Sequence, residues 1–512
     1  MRGKSLMFQG TGSSVGKSML CAAVLRIFKQ DGLRAAPFKA QNMALNSYAT
    51  QEGLEMGRAQ VTQAEAAGLI PSVKMNPVLL KPTSDRRSQV IVGGKPMGTL
   101  SAMEYEAYKP ALREQIRSIY HELESEYDAV VIEGAGSPAE INLKKGDIVN
   151  MSMAKAADAP VILIGDINPG GVFASLYGTV KLLPEDEQAR IKGIVINKFR
   201  GDVKILEPGL NMLEGLLNIP VIGVIPWMDI DMEDEDSVTE RFERSSGQGP
   251  IQTVIVRLPH ISNFTDFNLL SAEPGVALRY AERPGDLKGA DLILLPGTKN
   301  TIEDLNWLKQ RGLADEIIRR ARSGGMVMGI CGGYQMLGQR LHDPEHTESR
   351  IPDLAGLGLL DFEVTFHPGK TTVQAKGSIN CGSGWLSALN GTELDGYEIH
   401  SGVNAFGLEC LPFLTLNGRE TPDGVMNRQG NVLGSYLHGI FDTGVFYRAL
   451  VNHIRSQKGL SENRDEILTM KEFREREFDR LAALVRQNLD MDSVYKILRG
   501  EDVPCGRWAD GD

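Results

Sequence analysis

The sequence predicts an α/β protein of two domains, each built on its own mainly parallel sheet, followed by a helical C-terminal tail. Three observations predict it. Short, near-continuous Val/Ile/Leu runs alternate with helical stretches in both halves, the pattern of strands buried on both faces of a parallel sheet. A stretch of acidic and small polar residues separates the two series. The 512 residues also exceed the size at which a single hydrophobic core stops growing.

The first series of strand-like runs occupies residues 5–9, 33–38, 129–133, 160–166, 191–197 and 220–225, several ending in a polar residue at the tip. Residues 1–228 are assigned to this domain. Over 229–250 the pattern collapses into Met232-Glu-Asp-Glu-Asp236 and Ser245-Ser-Gly-Gln-Gly-Pro250, which reads as a linker. The second series, at 253–257, 291–295, 326–330, 357–366 and 432–437, defines a domain over 251–443. Beyond it the chain turns helical. In the 444–512 tail, residues 470–488 place Phe473, Phe478, Leu481 and Leu484 at helical spacing among charged side chains, so the tail is expected to pack on this second domain and not to act.

Composition narrows the function classes. Apolar residues make up 42% and charged residues 24%, the balance of a globular protein. A net charge of −11 argues against a general nucleic-acid binder, which normally shows a basic excess. The five cysteines, Cys21, Cys331, Cys381, Cys410 and Cys505, are scattered without a C-x-x-C pair, so neither a disulfide framework nor a zinc knuckle is expected. The N-terminal apolar run is too short for a signal peptide and no stretch reaches membrane-spanning length, so a cytoplasmic protein with no membrane partner is expected.

Directly after the first strand stands Gly10-Thr-Gly-Ser-Ser-Val-Gly-Lys-Ser18, and a helix begins near Met19. A strand, a Gly-rich turn and a helix N-terminus aim backbone N–H groups and the helix dipole at a phosphate. Thr11, Gly12, Ser13, Ser14, Val15 and Gly16 are thus candidates for ATP binding, with Lys17 on the outer phosphates and the Ser18 hydroxyl available to Mg²⁺. The bland alternative is a Gly/Ser turn with an exposed lysine. Five residues separate Gly10 from Gly16 where the standard loop has one fewer, and this longer loop resembles the dethiobiotin synthetase branch of P-loop enzymes. That resemblance implies that Lys39, after the second strand, meets the transferring phosphoryl group. It makes Glu133, at the tip of the third, a second Mg²⁺ ligand beside Ser18, and puts Asn197 and Lys198 near the nucleotide base. Where those enzymes have a metal-binding aspartate near the second strand, this chain has Gln41 and Asn42. Asp166 and Asp202 stay open between turn formation and ligand contact.

The second domain carries Gly329-Ile-Cys-Gly-Gly-Tyr-Gln335 after an apolar strand and before a helical run. A sharp strand-to-helix turn lifts a nucleophile out of a sheet, the flanking glycines leave room for the turn, and the helix N-terminus favours a thiolate. The alternative is a buried, inert cysteine. The G-x-C-x-G-x-Q pattern resembles class I glutamine amidotransferases. The resemblance makes Cys331 the nucleophile and His438, in Val432-Leu-Gly-Ser-Tyr-Leu-His438, its base; His400 is the main competitor. Backbone N–H groups at Gly297, after the 291–295 strand, and at Gly332 are the expected oxyanion donors. That family places a glutamate two residues after its histidine, but position 440 is Ile, so either a Cys-His dyad operates or another acceptor orients the ring, Asp442 being a weak candidate.

The two domains together resemble the cobyrinate amidase group of corrin biosynthesis over about residues 6–441. Lys39-Ala-Gln-Asn-Met-Ala-Leu-Asn-Ser47, Asn76-Pro-Val-Leu-Leu-Lys-Pro82, Gly136-Ser-Pro-Ala-Glu-Ile-Asn-Leu143, Gly165-Asp-Ile-Asn-Pro-Gly-Gly-Val-Phe173 and Asn197-Lys-Phe-Arg-Gly-Asp202 are similar to its cobyric-acid-forming branch. The resemblance implies a small-molecule corrinoid substrate, adenosylcobyrinic a,c-diamide, amidated on its b, d, e and g carboxylates with ATP, Mg²⁺ and glutamine as ammonia donor. Substrate choice is not derivable from the motifs alone: the a,c-diamide-forming branch of the group and an amidase of a cell-wall precursor stay open. A partition-type P-loop ATPase is the alternative of another class. It typically has an early signature lysine, absent from Gln9-Gly10-Thr11, and has no use for the Cys331 motif.

Overall fold

A computed structural model describes residues 4–84, 87–228, 230, 248–419 and 421–508. Most of the 229–250 linker read from the sequence lies outside the described residues. The chain forms two compact units. The first takes in the residues up to Ala44, those from Met56 to the linker, and the chain from Arg474 on; the second takes in Leu45–Glu55 and the chain from the linker to Phe473.

The first unit is built on six parallel strands in the order Val221–Pro226, Ile191–Phe199, Val161–Asp166, Lys4–Gly10, Ala129–Glu133, Ala35–Phe38. Leu6, Phe8, Val131, Ile162, Ile164 and Val195 are fully buried, as both faces of such a sheet must be covered. The first strand lies between Val161–Asp166 and Ala129–Glu133, so the loop that leaves it opens at the carboxyl edge, where neighbouring strand tips converge. The helix Met470–Asn488 buries Phe478, Leu481 and Val485 in the same core as Leu6 and Phe8. Arg26 in helix Lys17–Gln30 ties to it through Glu475 (2.7 Å) and Asp479 (2.8 Å). The period-3.6 apolar face does pack, but Phe478 and Leu481 lie in the core of this first unit, with Leu484 against it, and not on the second domain as the sequence suggests. Of the four apolar residues only Phe473 lies against the second unit's core, because the chain passes back to the first unit at Arg474.

In the second unit five parallel strands run in the order Val276–Ala281, Ile251–Val256, Leu292–Leu295, Met326–Ile330, Val432–Ser435. An antiparallel extension follows, dominated by Phe362–Ile379 paired with Glu393–Phe406. The sequence reading placed a strand at 357–366; the strand begins at Phe362, because residues 358–361 turn back, with Leu359 and Leu360 N–H both donating to Leu337 O. It did not anticipate Val276–Ala281 or the long hairpin, whose exposed faces break up the apolar runs. No helix among the described residues is long and apolar enough to cross a membrane.

Candidate active site

The phosphate loop has the backbone its composition asks for. Ser14 and Gly16 adopt positive φ (55° and 96°), turning successive N–H groups toward one side ahead of helix Lys17–Gln30. A Cβ on Gly16 would sit 2.1 Å from Asn197 Nδ2, so only glycine fits there. Lys17 Nζ donates to Gly12 O (2.8 Å) and Gly136 O (3.3 Å), which folds the lysine over its own loop.

Glu133 is the hub of this site and is fully buried. Its Oε1 accepts from Ser18 Oγ (2.8 Å) and from Lys39 Nζ (2.9 Å), while its Oε2 accepts from Gln63 Nε2 (2.5 Å). A buried carboxylate needs such partners, and here a cation and two neutral donors supply them. Four residues from four chain segments therefore meet at one point, three of which the sequence singled out. Gln63 was missed: it sits in helix Arg58–Ala66, in a run with no motif around it. Asn197 donates Nδ2–H to Val15 O (2.8 Å) and Lys198 donates to Ser14 O (2.7 Å) while pairing with Asp166 (2.8 Å), so both brace the loop. Asp202 caps helix Val203–Leu217 by accepting from Lys204 N–H, and Asp166 Oδ1 also accepts from Asn168 N–H, both turn-type bonds. Gln41 and Asn42 are bonded to Tyr105 and Gln60, away from Glu133.

Two observations test the fit of a nucleotide and its metal. Asn197 Oδ1 is buried with no hydrogen-bond partner, an acceptor left over beside the loop. The Ser18 and Glu133 oxygens are adjacent, and among the described residues no group of three His, Cys, Asp or Glu side chains gathers to hold a metal alone. That donor set suits Mg²⁺, which keeps water and phosphate oxygens in its shell.

In the second unit Cys331 caps helix Gly332–Met336 at the end of strand Met326–Ile330, with φ 53° and ψ −112°. A non-glycine residue in this region is strained, and such strain is characteristic of a nucleophile held on a tight bend. The glycines make the bend possible: a Cβ on Gly333 would lie 2.1 Å from Leu295 O, and one on Gly329 2.6 Å from Gly333 O. The sulfur, in a residue 6% exposed, faces Ile399 O at 3.6 Å.

His438 follows strand Val432–Ser435 and is held by backbone bonds in both directions with Tyr397 (3.1 and 2.9 Å), whose ring stacks on the imidazole at 5.1 Å. The imidazole lies within electrostatic reach of the Cys331 side chain. On the far side, Nδ1 donates to Asp266 Oδ2 at 2.8 Å, and Asp266 Oδ1 accepts from Gly439 N–H at 3.1 Å. Burial alone would lower the imidazole pKa. The negative charge of Asp266 and its hydrogen bond to Nδ1, with a further contribution from the neighbouring Cys331, outweigh it and raise the value to about 10. The acceptor behind the ring is thus Asp266, 172 residues upstream, and not Asp442. No local pattern marks it: it lies in the 3-10 turn Phe264–Phe267, where an aspartate normally passes for a capping residue.

His400 is occupied elsewhere. Its Nδ1 donates to Gly402 O (2.9 Å), its Nε2 faces Glu398 (3.4 Å), and Glu398 is paired with Arg419. Gly297 lies beside the His438 ring, since a Cβ there would be 3.2 Å from His438 Cε1, and Gly332 is packed against Thr298. Among the described residues neither Gly297 N–H nor Gly332 N–H makes a backbone hydrogen bond, so both stay available to an oxyanion.

Comparison with known proteins fits both units. Residues 6–237 match the CobQ/CobB/MinD/ParA nucleotide binding domain, and residues 252–446 match the CobB/CobQ-like glutamine amidotransferase domain. A cobyric acid synthase of Alkaliphilus metalliredigens is 53% identical over 510 residues, covering 97% of this chain and 100% of its own. The chain belongs to the cobyric acid synthase family. The cobyric acid synthases of Photorhabdus laumondii and Salmonella agona are each 51% identical, covering 97% and 98% of this chain and 98% and 99% of their own. Membership in this family of glutamine-hydrolysing ligases accounts for a nucleotide-binding domain and a glutamine amidotransferase domain in one chain.

Proposed function

We propose that this chain amidates the b, d, e and g side-chain carboxylates of adenosylcobyrinic a,c-diamide, using glutamine as nitrogen source and ATP with Mg²⁺ to activate each carboxylate. The observation that carries the reading is the line Cys331, His438, Asp266 set at the end of a strained, glycine-bounded strand. The Cys331 thiolate attacks the side-chain amide carbon of glutamine, and the oxyanion that forms is held by the N–H groups of Gly297 and Gly332. His438 passes its Nε2 proton to the departing nitrogen, which leaves as ammonia. It then accepts a proton from the water that hydrolyses the thioester to glutamate and free thiolate. Asp266 keeps Nδ1 protonated throughout, so that Nε2 is always the nitrogen that exchanges the proton.

In the nucleotide-binding half the substrate carboxylate attacks the γ-phosphate of ATP, and ammonia displaces phosphate from the acyl phosphate to leave the amide. Gly12 to Gly16 supply N–H donors to the phosphates, the Thr11 N–H being taken by Ile164 O (2.9 Å), Lys17 and Lys39 offset the charge on the transferring group, and Asn197 Oδ1 is an acceptor for the base. Ser18 and Glu133 would hold Mg²⁺, which when bound would supply Lewis-acid stabilisation of the developing phosphate charge. Lys39 then shifts its hydrogen bond from Glu133 toward the phosphoryl group. The name of the relatives, the fused domains and the Glu133 hub all support this division of labour.

The test is an assay with ATP, glutamine and corrinoid polyacids in which acid-to-amide conversions are counted by mass. Four conversions starting from the a,c-diamide support the reading, and conversion of only the a and c positions of the parent acid points to the other branch. Cys331→Ala is expected to abolish amidation from glutamine and to retain it from ammonium; loss of both sinks the separation of the two chemistries.

A further inference from the structure

Residues Leu45–Glu55 belong by sequence to the nucleotide-binding half, yet they fold into the second unit. Their contacts converge on the thiol site. Asn46 Oδ1 accepts from Asn263 N–H (2.7 Å), and Asn263 Oδ1 accepts from Ser47 N–H (3.1 Å), a reciprocal clamp in which all three residues are buried. The clamp holds Asn263 at φ 51°, a conformation of higher backbone energy that needs outside support. Because Ser47 takes the amide oxygen, the Nδ2 end of Asn263 faces His438 Nε2 at 3.4 Å. Asp266, which bonds Nδ1 of the same ring, lies in the turn that begins at Asn263. A second line runs through the rings: Tyr48 packs on Tyr397 at 5.0 Å, and Tyr397 stacks on His438 at 5.1 Å. Ala49, Tyr397 and Ile399 form one small apolar cluster, and Ile399 O faces the Cys331 sulfur. The far end is anchored by Glu55, buried and paired with Lys370 at 2.6 Å.

We propose that Leu45–Glu55 is a positioning segment for the glutamine-splitting site, in which Asn46 and Ser47 lock Asn263 against His438 so that the imidazole presents Nε2 to Cys331. The proposal rests on the reading of Cys331 and His438 given above and adds a part supplied from outside the amidotransferase half of the sequence. Asn46 acts on the site through its bond to Asn263. The Asn263 amide donates to Nε2 only when the ring is neutral, so the clamp favours the base form, in opposition to Asp266, which favours the charged form. The two together set a tautomer and a direction.

The experiment uses the full chain with Asn46→Ala, and Asn46→Asp as the conservative variant that keeps an acceptor oxygen. Glutamate release and ammonium-supported amidation are measured separately across pH. Asn46→Ala is expected to lower glutaminase kcat on the order of tenfold, with KM for glutamine nearly unchanged, since a misdirected base costs rate and not binding. The limb of the glutaminase profile that reports His438 should move to higher pH, because the neutral ring loses a donor. Asn46→Asp should recover most of the rate, and ammonium-supported amidation should be retained by both. An unchanged glutaminase rate in Asn46→Ala overturns the proposal. So does an equal fall in the ammonium-supported reaction, which would mark a general folding defect, and so does failure of Asn46→Asp to differ from Asn46→Ala. A parent chain that releases no glutamate refutes the underlying site reading, and this inference with it, and is told apart by that control.

Discussion

Replacing Asp266 by Asn probes the site where structure and sequence reading part. Asp266 makes two hydrogen bonds, to His438 Nδ1 (2.8 Å) and to Gly439 N–H (3.1 Å), and only an acceptor satisfies both. In Asp266→Asn the amide oxygen is expected to keep the Gly439 bond, which turns the amide NH₂ toward Nδ1. That nitrogen must then accept, the ring proton moves to Nε2, and the nitrogen facing Cys331 can no longer take a proton. The negative charge that raises the imidazole pKa to about 10 is lost as well, while the burial that lowers it stays. Both changes disfavour the thiolate–imidazolium pair. The expected loss in glutaminase kcat is about 10² to 10⁴-fold, the range over which a positioned general acid–base contributes. The assay is glutamate release at saturating glutamine, with ammonium-supported amidation as the internal control, since Asp266 has no part in carboxylate activation. A glutaminase kcat within about threefold of the parent would refute the argument and leave a Cys-His dyad as the working unit.

Other outcomes follow from the same geometry. Lys17→Ala is expected to remove amidation from glutamine and from ammonium alike, because the lysine lies over the phosphate loop and serves activation whatever the nitrogen source; the same two-source assay checks it. Gly333→Ala is expected to cost about 2 kcal/mol or more of stability, read from the denaturation midpoint, because its Cβ would sit 2.1 Å from Leu295 O and backbone cannot move aside cheaply. The stability difference between the parent and Asp266→Asn should depend on pH with a definite sign. The His438 pKa is raised from 6.5 to about 10 in the folded chain, so its contribution is fully present below about pH 6.5 and lost as pH rises through 10. Thermal melts of the two proteins between pH 6 and 10 should therefore converge toward the alkaline end. A gap that widened instead would show that Asp266 does not act through the ring.

Some of the site was legible because it is local. In the phosphate loop and the Cys331 bend, function follows from the backbone path of a few consecutive residues. Glycine, serine and lysine at the required spacing reveal that path before any tertiary contact exists. Lys39 and Glu133 were reached through the resemblance to dethiobiotin synthetases, and their 2.9 Å pair has a general cause: strand tips at the carboxyl edge of a parallel sheet converge. Spacing alone marked Met470–Asn488 as a packing helix, but not that Phe478 and Leu481 enter the first unit's core while Phe473 lies against the second's.

Asp266, Gln63 and Asn263 could not be read this way. Each is a short polar residue whose immediate neighbours explain it equally well as a cap, a helix-surface residue or a turn former. What distinguishes them is a partner far along the chain: His438 for Asp266, Glu133 for Gln63, and the 45–55 segment for Asn263. A hydrogen bond across such separations depends on how the elements pack, and the information for that packing is spread over apolar contacts throughout each core. The sequence by itself determined two α/β units, a phosphate loop and a thiol on a glycine bend, because backbone geometry is encoded residue by residue. Only the tertiary structure decided which carboxylate stands behind the imidazole and which segment holds Asn263 beside it, because proximity between distant residues is a property of the folded chain and leaves no local mark.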